Sequence, residues 1–233
     1  MLSILLLSIA VVLAAAPALA QTTPDLPLIV TTGQAEVKMA PDRAWVEINA
    51  DSRARDPKEA QRLNVAAMEA VMAQLKGMNL GKDAIRTLVY EVHPEFDYAN
   101  GKQTLRGYLA RNAIEVRVDD VARVGEVLGA AVASGATSVG GLRFGLKDRD
   151  AAEREALRLA VADARARADA AASGAGVQIA RIQRIEEQRT SGPEPPRPMM
   201  RMAANEAVAS AAPPVTPGTI EIRSIVTMTV LIK

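Results

Sequence analysis

Two alternating segments joined by Asn100-Gly101 constrain this chain more than any other feature. Residues 85–98, IRTLVYEVHPEFDY, place Leu88, Tyr90, Val92 and Phe96 on one face and Thr87, Val89, Glu91 and His93 on the other, the period of two that a strand imposes. Residues 105–118, LRGYLARNAIEVRV, return with Tyr108, Ala110, Asn112, Ile114, Val116 and Val118 on one side and Arg111, Glu115 and Arg117 on the water-facing side. Asn-Gly between two such runs signals a tight turn, so the pair reads as a long antiparallel hairpin. Asp119 or Asp120 then caps a helix with Val121, Val124, Leu128, Ala131 and Val132 in one stripe, Ser134-Gly135 stops it, and SVGGLRF re-enters a sheet.

The flanking segments extend the same pattern. Residues 28–39 and 44–52 alternate as strands, and Pro41-Asp42 between them reads as the turn of a second hairpin. Asp56-Pro57-Lys58-Glu59 opens a helix, with Asp as the cap and Pro at the first position, and its buried stripe is expected at Ala60, Leu63, Ala67, Val71 and Leu75. Asp150-Ala151-Ala152-Glu153 opens an alanine-rich helix reaching Ala172, with Leu157, Ala160, Ala164, Ala168 and Ala171 on one face and Asp163/Arg167 and Arg165/Asp169 as four-apart ion pairs. Residues 177–188 form a strand with a bulge at Ile182 and Ile185. Residues 190–217 hold seven of the thirteen prolines, and read as a disordered or loosely held insertion. The last strand turns Ile220, Ile222, Val226, Met228, Val230 and Ile232 one way and leaves Ile225 and Leu231 outward; it reads as a sheet edge guarded only by Arg223 and Lys233. The order strand, strand, helix, strand, strand, helix, strand, helix, strand, strand predicts an α+β fold: antiparallel or mixed sheet, helices on one face, and a loose βαβ duplication.

Residues 1–20 carry no charged side chain and close on Ala18-Leu19-Ala20 before Gln21, the pattern of an export signal cleaved after a small residue. An uncleaved anchor is the alternative, since about 19 apolar residues can just span a bilayer. Residues 21–27 are then a short tail and 28–233 a single α+β domain. Residues 21–233 carry 28 basic and 27 acidic residues, net +1, which gives no electrostatic case for nucleic acid or an anionic membrane; no membrane span follows signal cleavage, and peripheral contact with the envelope remains open. A chain without Cys forms no disulfide and suits a periplasm-like compartment. Aromatic residues make up only 3%, so the core must be aliphatic.

The reactive inventory is thin. His93 is the only histidine, which excludes Cys/His zinc sites, thiol nucleophiles and two-histidine metal centres. No Gly-x-Ser-x-Gly elbow accompanies it, so it reads as an exposed structural residue between Glu91 and Glu95. Helix capping accounts for Asp119-Asp120 and strand-end solvation for Glu186-Glu187. Gly140-Gly141 with Gly145 lacks the sequence of a phosphate loop and fits a bulge or close strand contact, and Trp45 alone is no stacking platform for nucleic acid. Met199, Met200 and Met202, interleaved with Arg197 and Arg201, are the only candidate metal ligands or oxidant targets. No catalytic residue and no cofactor is assigned.

Residues 33–37, Pro41-Asp42, Ile85-x-Thr87, Pro94 with Phe96 and Tyr98, Gly107-Tyr108-x-Ala110-x-Asn112, Val116-x-Val118-x-Asp120, Gly135-Ala136-x-x-Val139, Asp163-Ala164-Arg165 and Pro217-Gly218 together resemble the SIMPL-domain family, which includes YggE-like and periplasmic immunogenic proteins. Ala35 departs from it, standing where the family usually carries a second Gly. The resemblance implies a periplasmic α+β subunit, a ring or channel-like homo-oligomer, and an association with oxidative-stress tolerance; it transfers no catalytic residue. Two functions follow: a non-enzymatic homo-oligomeric protein, or a small-ligand or metal-binding protein using the Met-rich insertion or a groove between helices and sheet. An enzyme is the third reading.

Overall fold

The structure is a computed structural model that describes residues 26–99, 101–188 and 216–233. The leader, Asn100 of the turn, and nearly all of the 190–217 insertion with Met199, Met200 and Met202 lie outside the described residues. The elements run β1 (Leu28–Met39), β2 (Arg43–Ala54), α1 (Pro57–Gly77), β3 (Ile85–Ala99), β4 (Lys102–Val118), α2 (Val124–Ala133), β5 (Ser138–Gly145), α3 (Arg149–Gly174), β6 (Ile179–Gln188) and β7 (Ile220–Ile232). That is the order the alternation and caps indicate, and the fold is α+β.

The strands form two sheets, one ordered β3-β4-β2-β5 and the other β1-β7-β6, with every pairing antiparallel. The two sheets share part of their arrangement. Each half is a hairpin, β3-β4 or β6-β7, whose second strand takes an antiparallel partner, β2 or β1, and each is covered on one face, by α1 with α2 or by α3. Two sequence expectations fail here. β1 and β2 do not form a hairpin: β1 pairs with β7, from Leu28↔Leu231 to Met39↔Ile220. Pro41-Asp42 does turn the chain, but into the other sheet, where Asp42 N–H donates to the Gly145 carbonyl and its carboxylate accepts from Lys147 N–H at 2.7 Å. A turn signal fixes a change of direction and says nothing about which strands then pair. Nor is β7 an edge. It lies between β1 and β6, so its backbone groups are paired on both sides and Ile225 and Leu231 are half-buried.

The first core is built from Val46 and Ile48 of β2, Ile114 and Val116 of β4, Val71 and Leu75 of α1 and Val124 and Val127 of α2, each fully buried aliphatic side chain contributing about 1.5–3 kcal/mol. α1 starts as expected, the Asp56 carboxylate accepting from Lys58 N–H at 2.9 Å and Glu59 N–H at 3.2 Å. Its buried stripe is Ala60, Asn64, Met68, Val71 and Leu75; Leu63 falls outside it. In α2, Val132 is exposed and Val127 takes the buried place.

α3 lies on the second sheet along Ala152, Ala156, Ala160, Ala164, Ala168 and Ala172, all buried. Its cap is Asp148, which accepts from Ala151 N–H at 2.8 Å, two residues earlier than the sequence suggested. The strict four-residue spacing replaces the expected Leu157 and Ala171, because only a ridge without side-chain bulk lets the helix backbone approach the strands. The Thr31 hydroxyl donates to the Ala164 carbonyl at 2.9 Å, and Gln34 N–H donates to the Asp163 carboxylate at 3.0 Å. That backbone N–H, reinforced by Arg167, holds Asp163 below its ordinary value of 3.8. A depressed carboxyl stabilises the fold above its ordinary value and loses that effect as pH falls through its folded value. The melting-temperature gap between the wild type and Asp163→Asn is therefore expected to be present at neutral pH and to close in acid; a gap that stays constant with pH would remove the charge from the argument.

Candidate functional site

Both helical layers leave the same strand bare. α1 sits over β2 and β4 and α3 over β1 and β7; β3 and β6, the outer strands of the two hairpins, are sheet edges exposed along nearly their whole length, while β5 and β1, the opposite edges, are more covered. On β3 the alternation is as read from Val89 onward; Leu88 lies in a bulge between the Thr87↔Ile114 and Val89↔Ala113 pairs, which puts Thr87 on the face of Tyr90 and Val92 and not on that of Val89 and Glu91. Beyond the bulge, Tyr90, Val92, Phe96 and Tyr98 continue the core face of β4 past the reach of α1, and Tyr98 is 76% exposed. Leu105, opposite Phe96, extends the strip. On β6, bulges at Ile179/Arg181 and Ile182/Arg184 leave Ile182 and Ile185 exposed. Side chains that a strand pattern marks for a core are here at the surface.

The opposite face of the first sheet is a ladder of ion pairs. Glu115 is buried, accepts from Arg86 Nε at 2.7 Å, and is paired as well with Arg143 from β5. Trp45 stands across from Arg117 on β4 and Arg143 on β5, with the Arg143 and Arg43 guanidinium carbons 5.3 and 6.0 Å from its ring centroid, within cation–π range. Gly145 makes room for it, since a Cβ there would fall 2.5 Å from the indole. Asp119 takes Arg43 Nε at 2.6 Å and lies 3.3 Å from Arg117 Nε; burial pushes its carboxyl up, but the two arginines outweigh that and hold it below the usual range. Further along the strands follow Asp51 with Arg111 at 3.1 Å and Glu95 with Arg53 at 2.9 Å.

The residues weighed in the sequence do not converge. His93 is half-buried, with Nδ1 4.0 Å from Glu91, and Glu95 turns to Arg53. Asp119 and Asp120 divide their work: Asp120 caps the turn at Val121–Arg123, while Asp119 serves the arginines. Glu186 pairs with Arg184. Gly141 takes a left-handed φ of +56° where the β2–β5 register shifts, which is the bulge its sequence suggested. Among the described residues no cluster of three His, Asp or Glu could hold a metal ion. The Trp45–Arg143–Glu115–Arg86 group was not found from sequence, because its members come from four strands; the one available signal was polar residues at alternate positions opposite the apolar face of β4.

An α+β fold of two antiparallel sheets, with β3 and β6 as bare edge strands and an arginine-rich outer face on the first sheet, is what the structure defines. The chain belongs to the SIMPL family, described as a protein of unknown function (DUF541), whose model matches residues 29–230. It is 29% identical over 186 residues to the 26 kDa periplasmic immunogenic protein of Brucella abortus (strain S19), covering 78% of this chain and 74% of that protein. It is 26% identical over 188 residues to the uncharacterized protein YggE of Escherichia coli (strain K12), covering 81% of this chain and 76% of that one. The designed protein Foldit4 aligns with 45% of this chain and 98% of its own at 16% identity, but a TM-score of 0.24 carries no argument about the fold.

Proposed function

We propose that the protein is a non-enzymatic, exported, homo-oligomeric subunit of the periplasm. The observation that carries this reading is β3: a fifteen-residue edge strand with Tyr90, Val92, Phe96 and Tyr98 uncovered. An exposed, long, apolar edge templates pairing with another chain unless something covers it. β6 offers a second edge of different sequence, so a contact from β3 of one copy to β6 of the next is head-to-tail, the kind of contact that makes a ring or channel where its rotation closes and an open filament where it does not. Residues 28–233 act in it as one domain, a reading supported by the full-length pairing of β1 with β7 from opposite ends of the chain. Export is supported by the uncharged leader and by the periplasmic name of the Brucella relative; among the described residues no helix is long and apolar enough to cross a membrane. Oxidative-stress tolerance, implied by the family resemblance, is the output assigned to the assembly.

Light scattering after size exclusion tests it. The wild type at micromolar concentration is expected as a defined particle of several copies, and Val92→Lys with Phe96→Lys, both at exposed positions, should reduce it to monomer without loss of secondary structure. A wild-type monomer, or a double variant that assembles unchanged, would defeat the edge argument.

A further inference from the structure

On the outer face of the first sheet a groove of about 300 Å³ is lined by Trp45, Arg86, Glu115, Arg117 and Arg143, with Asp83 and Ala84 at its rim. That is the lower end of the range for small-ligand sites. Arg86, Arg117 and Arg143 face Glu115 and Asp83 in it, and Asp119 beside Arg117 is shared with Arg43, so four guanidinium groups stand against three carboxylates. The donors are also far from used up. A guanidinium carries five N–H groups in a planar fork; the Glu115 pairings take Arg86 Nε and one terminal nitrogen of Arg143, and Arg117 donates from a terminal nitrogen to the Lys82 carbonyl at 3.0 Å. Arg117 Nε is buried and, among the described residues, has no hydrogen-bond partner although Asp119 stands 3.3 Å away. Arg86 and Arg143 keep 68% and 57% of their side chains exposed, which leaves their remaining donors at the groove.

We propose that this groove binds an oxyanion, a carboxylate or phosphate, between Arg86, Arg117 and Arg143 beside the Trp45 ring. Glu115 is the positioning residue. Buried beneath the groove and tied to two of the three guanidinium groups, it fixes their planes, so that ordering them costs the ligand little. Arginine forks rather than lysines suit such a ligand because two parallel N–H groups match two oxygens. The groove takes only Arg86 from β3 and opens on the outer face, whereas the uncovered Val92 and Phe96 lie further along the strand on the helix side.

Trp45 is the sole tryptophan, so its emission reports on this groove alone. The assembled full chain is titrated with inorganic phosphate at constant ionic strength, with sodium chloride as the matched control. A saturable change in Trp45 emission is expected for phosphate and not for chloride. Arg86→Gln and Arg143→Gln should each raise the apparent Kd about tenfold or more, the loss of one charge-assisted contact. Arg86→Lys, which keeps the charge and loses the fork, should weaken binding as well, and Arg158→Gln on the far face of α3 should not. Phosphatidylglycerol vesicles at equal phosphate concentration separate the source: saturation by free phosphate alone supports a soluble anion, and saturation by vesicles supports a lipid headgroup. No saturable change with either probe, a change that chloride reproduces, or one that both glutamine variants leave intact would overturn the proposal.

Discussion

Replacing Gly33 by alanine is expected to lower the melting temperature by about 6–12 °C. β1 passes beneath α3 at this point, and a Cβ on Gly33 would fall 2.2 Å from the Ala160 carbonyl oxygen, 2.2 Å from the Ala164 nitrogen and 2.7 Å from the Ala164 Cα. All three are backbone atoms, so no side chain can swing aside and the helix itself must lift. Lifting it loosens Ala164 and Ala168 from Met228 and Val230 and stretches the Thr31 and Asp163 hydrogen bonds that stitch β1 to α3. Adding a carbon to a packed core costs about 1–3 kcal/mol. Backbone on every side places this one at the top of that range, and a chain of this length loses about 2–4 °C per kcal/mol. Gly129→Ala is the control: it sits inside α2 with nothing within 4 Å of the added methyl, and helix propensity should leave it neutral or more stable by about 0.5–1 kcal/mol. Calorimetry of the two variants beside the wild type decides the matter; a Gly33→Ala protein that melts with the wild type would mean the helix does not lie this close.

Local chemistry made the elements legible, and partner choice was not. Asp56, Asp120, Ser134-Gly135 and the alternation of β3 and β4 act within a few residues, so each start, stop and face could be read from its own neighbourhood. The pairing of β1 with β7 spans nearly the whole chain, and nothing near Pro41-Asp42 encodes it. The same limit explains the surface. The alternation of Tyr90, Val92 and Phe96 is genuine, but it is the length of α1 and its seat over β2 and β4 that decide whether those residues meet a core. The outer-face groove fails for a related reason: Trp45, Arg86, Glu115 and Arg143 belong to β2, β3, β4 and β5, and only the register of the sheet brings them together. Leu63 and Asn64 show the limit of hydrophobicity as a guide to burial, since the leucine is 38% exposed and the asparagine beside it is wholly buried.

Asn64→Asp is expected to destabilise the protein by about 5–7 kcal/mol at neutral pH and by only about 1–3 kcal/mol in acid. The Asn64 amide nitrogen donates to the Ala50 carbonyl at 2.7 Å and to the Ala110 carbonyl at 3.0 Å, joining α1 to β2 and β4 at once from a position with no solvent access. A carboxylate there turns two attractive contacts into an oxygen facing two oxygens, and burial forbids water from screening it. The group escapes by keeping its proton, which raises its folded pKa by about 3 units, each worth about 1.4 kcal/mol. The sign follows from proton counting. Between the ordinary aspartate value near 3.9 and the raised one, the folded state binds more protons than the unfolded, so stability falls as pH rises through that window and is flat below it. Even protonated, the acid has one O–H for two carbonyls, and the carbonyl left over costs about 1–3 kcal/mol at every pH. Asn64→Leu, which has no charge to titrate, should show only the pH-independent part. Urea unfolding of the three proteins at acid and neutral pH separates the terms; an Asn64→Asp variant whose deficit does not grow with pH would show that the amide is not sealed between the helix and the two strands.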